Sequence, residues 1–156
     1  MKLSEIRKQY GFTQENFAQY LAIPLRTYKR YESDEGKIPA IKYEYIKTKI
    51  DELEKIDETH GVLTMQTIKE VCARVFEVYD VEYCYLFGSY AKGRATEKSD
   101  VDLFVSTKVT GLKFFGLVED LRVALKKNVD VLNQDQIKNN YELTQEILSG
   151  GIKIYG

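Results

Sequence analysis

The sequence is poor in the residues that build disulfide frameworks and histidine-based sites. Its 156 residues include two cysteines, one histidine and no tryptophan. Cys72 falls in a predicted helix and Cys84 in a predicted strand, and we interpret both as buried thiols rather than as a disulfide or a metal pair. His60 stands beside Gly61 in a predicted linker. A metal centre or catalytic triad built on histidine is therefore not expected.

Long apolar runs and an excess of one charge are also missing. The first residues, Met1 to Lys8, lack the hydrophobic region of a signal peptide, and no run approaches the length that spans a membrane. We expect a cytoplasmic protein without a membrane partner. The 23 basic and 24 acidic residues argue against nonspecific coating of nucleic acid. The balance hides an asymmetry, because residues 1–31 carry a net charge of +4 and the remainder −5.

Two aspartates one residue apart stand at the start of an apolar run in the second half. Asp100 and Asp102 alternate with Val101 and the run 103–105, which predicts a short strand that begins with the aspartates. Side chains two residues apart on a strand share a face, so both carboxylates are expected to point to one place. Two such carboxylates repel each other unless a cation lies between them. Because Mg²⁺ prefers oxygen ligands, the pair predicts a magnesium site.

A turn upstream of the aspartates is suited to phosphate. Residues 83–87 predict a buried strand, and Gly88-Ser89 closes it where a helix can begin. Backbone N–H groups at such a turn, with the Ser89 hydroxyl, are natural ligands of a phosphate group. The predicted phosphate cradle and metal ligands thus lie in one strand-turn-helix-strand segment.

The spacing of these groups resembles a known signature. In this sequence Gly88-Ser89 is followed, after ten residues, by Asp100 and Asp102. This arrangement is similar to the motif of the DNA polymerase β-like nucleotidyltransferases. Within that superfamily, the short chain that follows is most similar to the minimal nucleotidyltransferases. The resemblance places a third metal carboxylate on the neighbouring strand, where Asp130 stands between two valines. An aspartate at that position could alternatively cap a turn at the end of the strand.

The resemblance implies a chemistry and roles for named residues. It implies transfer of AMP from ATP to a hydroxyl, with two Mg²⁺ ions held by the carboxylates of Asp100, Asp102 and Asp130. Gly88 and Ser89 would hold the β- and γ-phosphates, and Lys92 or Arg94 would neutralise the leaving pyrophosphate. The sequence is accordingly predicted to be an enzyme.

The first half predicts four helices. Leu3, Ile6 and Tyr10 recur at helical spacing, Thr13 can cap a second helix, and Pro24 opens a third. A longer apolar pattern then continues to about residue 57. The stretch from Ser4 to Pro39 resembles the Cro/C1-type (XRE) helix-turn-helix family, in which the third helix enters the major groove of DNA.

Carried over from that family, the DNA contacts fall on the second and third helices. Leu25, Arg26 and Lys29 would face base edges, and Gln14 and Arg30 would contact phosphate. The sequence departs from the family at Leu25, where a polar reader is common, and just before it, where a proline replaces the usual capping residue. A helical protein-interaction module with a solvated basic face is the alternative. Because helix-turn-helix modules usually act as dimers, operator binding would imply a homo-oligomer.

The predicted fold is α+β with two domains. An all-α helix-turn-helix domain over residues 1–58 precedes a small α/β nucleotidyltransferase domain over residues 62–156. In the second domain the order helix, strand, strand, helix, strand, helix, strand predicts a four-stranded mixed sheet covered by helices. One of these helices, from Gly111 to Lys127, has a broad apolar face made of Leu112, Phe115, Leu117, Val118, Leu121, Val123 and Leu125.

Three hypotheses about function remain open at this point. The leading one, implied by the resemblance to the minimal nucleotidyltransferases and to the helix-turn-helix family, is a Mg²⁺-dependent AMP transferase that modifies a tyrosine of a HEPN-domain toxin, acts as its antitoxin and represses its own operon. The second is a transcription regulator whose transferase domain only binds nucleotide or a partner. The third is a nucleotidyltransferase acting on a small molecule.

Overall fold

The computed structural model describes all 156 residues, and its first half is helical. The helices are α1 (Leu3–Gln9), α2 (Gln14–Tyr20), α3 (Leu25–Ser33) and α4 (Ala40–Leu53), with a 3₁₀ turn at Glu35–Lys37. Thr13 caps α2, since its hydroxyl accepts a hydrogen bond from the Asn16 N–H at 3.1 Å. Ala22, at φ 56°, makes the turn between α2 and α3. These helices lie where the apolar spacing and the caps predict them, with α4 ending earlier than predicted.

The second half contains the sheet. Its elements are α5 (Met65–Phe76), β1 (Val81–Phe87), α6 (Gly88–Ala91), β2 (Val101–Thr107), α7 (Leu112–Leu125), β3 (Val129–Asn133), α8 (Gln134–Ile137), α9 (Tyr141–Gly150) and β4 (Ile152–Tyr155). The strand order is β3-β2-β1-β4, with β2 and β3 parallel and the other two pairs antiparallel. The predicted four-stranded mixed sheet is confirmed, and α6 begins at Gly88-Ser89, where a helix was expected; α8 is an addition to the predicted element order.

The two faces of the sheet are buried to different degrees. The face that packs with α5 and α7 contributes the buried residues Cys84, Leu86, Leu103 and Val105. The opposite face has a smaller buried cluster, in which Phe87 and Phe104 pack against Ile147 of α9. Because side chains alternate along a strand, residues that pair with Phe87 stand on this second, less covered face.

Helix α7 buries one narrow stripe of side chains and leaves several apolar side chains exposed. Leu117, Leu121 and Leu125 are buried, as predicted. Leu112 and Phe115, however, are 88% and 72% exposed, and Val123 is also exposed. The prediction of one broad apolar face was therefore wrong. Positions four residues apart fall on one stripe of a helix, and only that stripe faces the sheet and α5.

The helical first half and the sheet share one core. A continuous cluster of buried side chains includes Leu3 and Phe17 from the first half and Leu86 and Leu103 from the sheet. Both cysteines are buried free thiols, as expected, and burial raises the pKa of Cys72 to about 12. None of the helices combines the length and apolar character needed to cross a bilayer.

Candidate active site

Asp102 and Asp130 lie side by side on the less covered face of the sheet. The parallel register of β2 and β3 pairs Asp102 with Asp130, and the antiparallel register of β1 and β2 pairs Asp102 with Phe87. Asp102 is half-buried and Asp130 is exposed. The pKa of Asp102 is raised to about 6. Burial is the largest cause, and the negative charges of Asp130, Asp100 and Glu146 contribute the rest. The geometry thus holds two carboxylates together against their mutual repulsion.

Gly88 leaves room for the Asp102 carboxylate. Its φ of +70° lies in the left-handed region that favours glycine. A Cβ at this position would overlap Asp102 Oδ2. The glycine of the signature is therefore needed twice, for the backbone turn from β1 into α6 and for the close approach of the carboxylate. Ser89 follows in the first turn of α6 and is half-buried.

The basic residues of the signature lie just beyond α6. The Lys92 ammonium group forms an ion pair with Glu146 of α9 at 3.2 Å. The side chain of Arg94 is exposed and forms no ion pair or hydrogen bond, while its backbone N–H donates to the Ser89 carbonyl at 2.9 Å. Of the two candidate phosphate-binding cations, only Arg94 is free of a protein partner.

Asp100 lies outside the strand that was predicted to begin with it. β2 starts at Val101. The Val101 N–H donates a hydrogen bond to the Asn128 carbonyl at 2.9 Å, just before β3 begins. Asp100 is exposed, at the end of a turn closed by the bond from the Ser99 N–H to the Thr96 carbonyl at 3.1 Å. The start of β2 was thus predicted one residue too early.

The donor chemistry of the site suits a hard divalent cation. No three His, Cys, Asp or Glu side chains of the chain are grouped closely enough to enclose a metal ion. The structure brings together two carboxylates, Asp102 and Asp130, with the charge of Asp100 close enough to raise the pKa of Asp102. Carboxylate oxygens in this arrangement are the ligands that Mg²⁺ prefers, and a cation would remove the repulsion between them. The residues present are therefore compatible with magnesium.

The sequence from α5 to the end matches a known family. Residues 66–156 match the family described as polymerase beta, nucleotidyltransferase. The chain belongs to this family. It is a nucleotidyltransferase whose signature glycine and two strand carboxylates lie against one another.

Individual relatives resemble the same half of the nucleotidyltransferase. A candidate protein adenylyltransferase of Methanocaldococcus jannaschii is 38% identical over 84 residues, which are 50% of this chain and 86% of that protein. The protein adenylyltransferase MntA of Thermococcus cleftensis is 31% identical over 90 residues, or 54% of this chain and 91% of that protein. A chain from a solved complex of a tri-AMPylated Shewanella oneidensis HEPN toxin with an MNT antitoxin is 22% identical, with a TM-score of 0.45, over 60% of this chain and 73% of that chain.

The residues predicted to contact DNA lie on α2 and α3 in the helical first half. Arg26, Lys29 and Arg30 are exposed on α3, and Leu25 is half-buried. Gln14 at the start of α2 is half-buried, and its amide donates a hydrogen bond to the Glu32 carboxylate at 3.4 Å. Three cations of the predicted DNA-binding set are therefore free to meet a ligand, whereas Gln14 has a partner within the protein.

Three residues near the nucleotidyltransferase site left no signal in the sequence. Glu146 approaches from α9 and pairs with Lys92. Asn16, from α2, donates from its side chain to the Gly93 carbonyl at 2.9 Å. Lys127 is completely buried, and its ammonium group donates to the carbonyls of two distant residues. All three act across long separations along the chain, which a search for local motifs cannot detect.

Proposed function

We propose that this nucleotidyltransferase transfers AMP from ATP to a hydroxyl group of a protein, specifically a tyrosine of a HEPN-type toxin, and so acts as an antitoxin. The observation that carries the proposal is the pairing of Asp102 with Asp130 beside Gly88. A protein acceptor is supported by the curated relatives, which are named as protein adenylyltransferases. The toxin is proposed from the resemblance to the minimal nucleotidyltransferases.

The chain's own residues would have separate tasks in this reaction. The acceptor oxygen bonds to the α-phosphorus of ATP, the bond from that phosphorus to the bridging oxygen breaks, and pyrophosphate leaves. Gly88 and Ser89 would bind the β- and γ-phosphates, and Arg94 would offset the charge of the departing pyrophosphate. Asp130, exposed at the edge of the site, would accept the proton of the attacking hydroxyl.

Magnesium would be held by the same carboxylates. Asp102 and Asp130, which lie side by side, would hold Mg²⁺, and the family resemblance adds Asp100 and a second ion; the ions would neutralise phosphate charge and lower the pKa of the attacking hydroxyl. Burial is the largest cause of the raised pKa of Asp102, and the negative charges of Asp130 and Asp100 add to it; a bound cation would offset those charges.

DNA binding by the helical half is the second part of the proposal. The exposed Arg26, Lys29 and Arg30 place three positive charges within about one and a half turns of α3. A short helix with such a face, preceded by a second helix and a tight turn, suits the major groove. We propose that residues 1–58 bind the operator of the protein's own operon, with residues 62–156 as the transferase unit and two chains occupying paired half-sites.

The first experiment follows the transferred group. Purified protein is mixed with Mg²⁺, the HEPN-type product of the neighbouring gene and ATP radiolabelled at the α-phosphate. We expect label on the toxin with the wild type and none with Asp100→Ala or Asp102→Asn. Asp135→Asn serves as a matched control, because Asp135 is an exposed carboxylate on α8, beyond the other end of β3.

A second label separates the reaction classes. ATP radiolabelled at the γ-phosphate should leave the toxin unlabelled, since pyrophosphate departs in nucleotidyl transfer. Label from the γ-phosphate alone would indicate phosphoryl transfer and contradict the proposal. Unlabelled toxin in every reaction would favour the regulator, whose biological effect should survive removal of all three aspartates.

A further inference from the structure

The helical half contacts the loop that connects the two parts of the nucleotidyltransferase signature. We define the signature loop as residues 92–100, between α6 and β2. The Asn16 side-chain amide donates a hydrogen bond to the Gly93 carbonyl of this loop at 2.9 Å, although 77 residues separate them. Gly93 has φ +66°, and a Cβ there would overlap the backbone carbonyl oxygen of Gly11. The two halves of the protein therefore meet at backbone distance at Gly93.

Gly93 stands between the two basic residues of the signature. Lys92 and Arg94 are its immediate neighbours, so a shift of the Gly93 backbone moves both cationic side chains. The loop is also tied to α6, because the Arg94 N–H donates to the Ser89 carbonyl at 2.9 Å. By bonding to Gly93, Asn16 therefore holds the backbone between Lys92 and Arg94. The positions of their charges depend on that backbone.

The far end of the signature loop is held from a second direction. The buried Lys127 ammonium group donates to the Glu97 carbonyl at 2.6 Å and to the His60 carbonyl at 3.1 Å. This links the loop to the segment that joins the helical half to α5. Because the loop is also held at Glu97 and by the Arg94 N–H bond to Ser89, removing the Asn16 contact would let the Gly93 carbonyl shift without releasing the whole loop.

We propose that Asn16 is a positioning residue for the nucleotide: by holding the Gly93 carbonyl, the helical half sets the place of Arg94 against the triphosphate. The inference rests on the proposed function, in which Arg94 meets the charge of the phosphates. It makes the helical half a part of the nucleotide site, and it predicts that nucleotide affinity depends on a residue of α2 that touches no nucleotide.

A purely structural hydrogen bond would behave differently. Its loss would lower stability and leave the affinity of the folded protein for nucleotide unchanged. A positioning contact would weaken binding of the triphosphate, which raises KM for ATP, and it would lower kcat as well, because a displaced Arg94 offsets less of the charge on the leaving pyrophosphate. Nucleotide affinity, measured without any acceptor, distinguishes the two roles.

The test uses the full chain and two substitutions of Asn16. Asn16→Ala removes the side-chain amide, and Asn16→Asp keeps its shape but replaces the donor with an oxygen that repels the Gly93 carbonyl. The backbone bond from the Asn16 N–H to the Thr13 cap is retained in both. Glu15→Gln is the matched control, because the neighbouring Glu15 is exposed on α2 and its side chain makes no contact with the loop.

Binding of Mg²⁺-ATP is measured by isothermal titration calorimetry, together with the melting temperature of each variant. The expected result is a Kd for ATP that is about three to ten times higher for both Asn16 variants, the size expected for loss of one hydrogen bond. Glu15→Gln should bind like the wild type. In the transfer reaction, the Asn16 variants should show a raised KM for ATP together with a lowered kcat.

Two results would overturn the inference. Folded Asn16 variants that bind ATP as tightly as the wild type would show that the contact serves stability alone. An equal loss of affinity in Glu15→Gln would show that α2 acts through its general stability or charge. Failure of the wild type itself to bind Mg²⁺-ATP would instead overturn the proposed nucleotide site, and the inference with it.

Discussion

Asp102 has the most constrained surroundings of the candidate site residues. Its carboxylate lies against the Cα of Gly88 and beside Asp130, in a half-buried position. Burial, followed by the charges of Asp130 and Asp100, raises its pKa from the ordinary 3.8 to about 6. Ionised Asp102 is therefore held at a cost in folding free energy, as is common at functional sites.

Replacing Asp102 should stabilise the metal-free protein at neutral pH. Because its folded pKa is raised, protonated Asp102 favours folding at low pH, and that contribution is lost as pH rises through about 6. Asp102→Asn mimics the neutral form. After allowance for solvent screening, we expect the variant to be about 1 kcal/mol more stable than wild type at pH 7.5 and nearly equal to it at pH 4.5.

Urea unfolding in the presence of EDTA at both pH values measures this difference. Glu44→Gln, which removes an exposed carboxylate in the middle of α4, is the control and should change stability little at either pH. A destabilised Asp102→Asn at pH 7.5 would mean that the carboxylate has a favourable partner in the folded protein.

At the scale of elements, α3 has a buried face and an exposed basic face. Tyr28 and Tyr31 are buried and join the helix to the shared core. Arg26 and Lys29 point outward, so substituting either leaves the packing intact, whereas the Arg30 guanidinium lies over the ring of Tyr31. The helix therefore allows a test of DNA binding that is separate from a test of folding.

Arg26→Ala should weaken binding to the operator by about 1–3 kcal/mol, the cost of losing one good base contact. The matched control is Lys47→Ala, which removes an exposed cation from α4. A mobility-shift titration at fixed salt, on the DNA upstream of the protein's own gene, measures both. Equal affinities of the wild type and Arg26→Ala for this DNA would contradict the proposal that α3 contacts the bases through Arg26.

The whole molecule is held together by a core that both halves share and by Lys127. This lysine is fully buried, and its two hydrogen bonds reach the linker at His60 and the signature loop at Glu97. Burial lowers the pKa of Lys127, while the charges of Asp57 and Glu97 oppose that shift. The ammonium group thus joins three segments at the junction between the halves.

Lys127→Met should destabilise the protein by about 1–3 kcal/mol, because it keeps the aliphatic stem but leaves two carbonyls without their donor. The control is Lys126→Met, at an exposed neighbouring position. Far-UV circular dichroism and tyrosine fluorescence followed through urea unfolding should give one coincident transition for the wild type and both variants. Separate transitions would contradict cooperative unfolding of the shared core.

Local patterns in the sequence were sufficient for much of the fold and for part of the candidate site. Apolar spacing and caps placed α1 to α5 and all four strands, because periodicity and capping depend on neighbouring residues. The spacing from Gly88 to Asp102 identified the turn and the carboxylates, since that segment is short and each residue has a local reason for its type. The placement of Asp130 on a strand beside that of Asp102 followed from the family resemblance, whereas the parallel pairing of the two strands was seen only in the structure.

Contacts between distant segments were decided only by the tertiary structure. The ion pair of Glu146 with Lys92, the bond from Asn16 to Gly93 and the buried position of Lys127 join residues 30 to 77 positions apart. The exposure of Phe115 on α7 likewise depends on which stripe meets the sheet. The sequence by itself determined the helices, the strands and the chemistry of the signature. Only the packing of these elements placed the helical half against the signature loop, because packing joins residues far apart in the chain and no local pattern encodes such contacts.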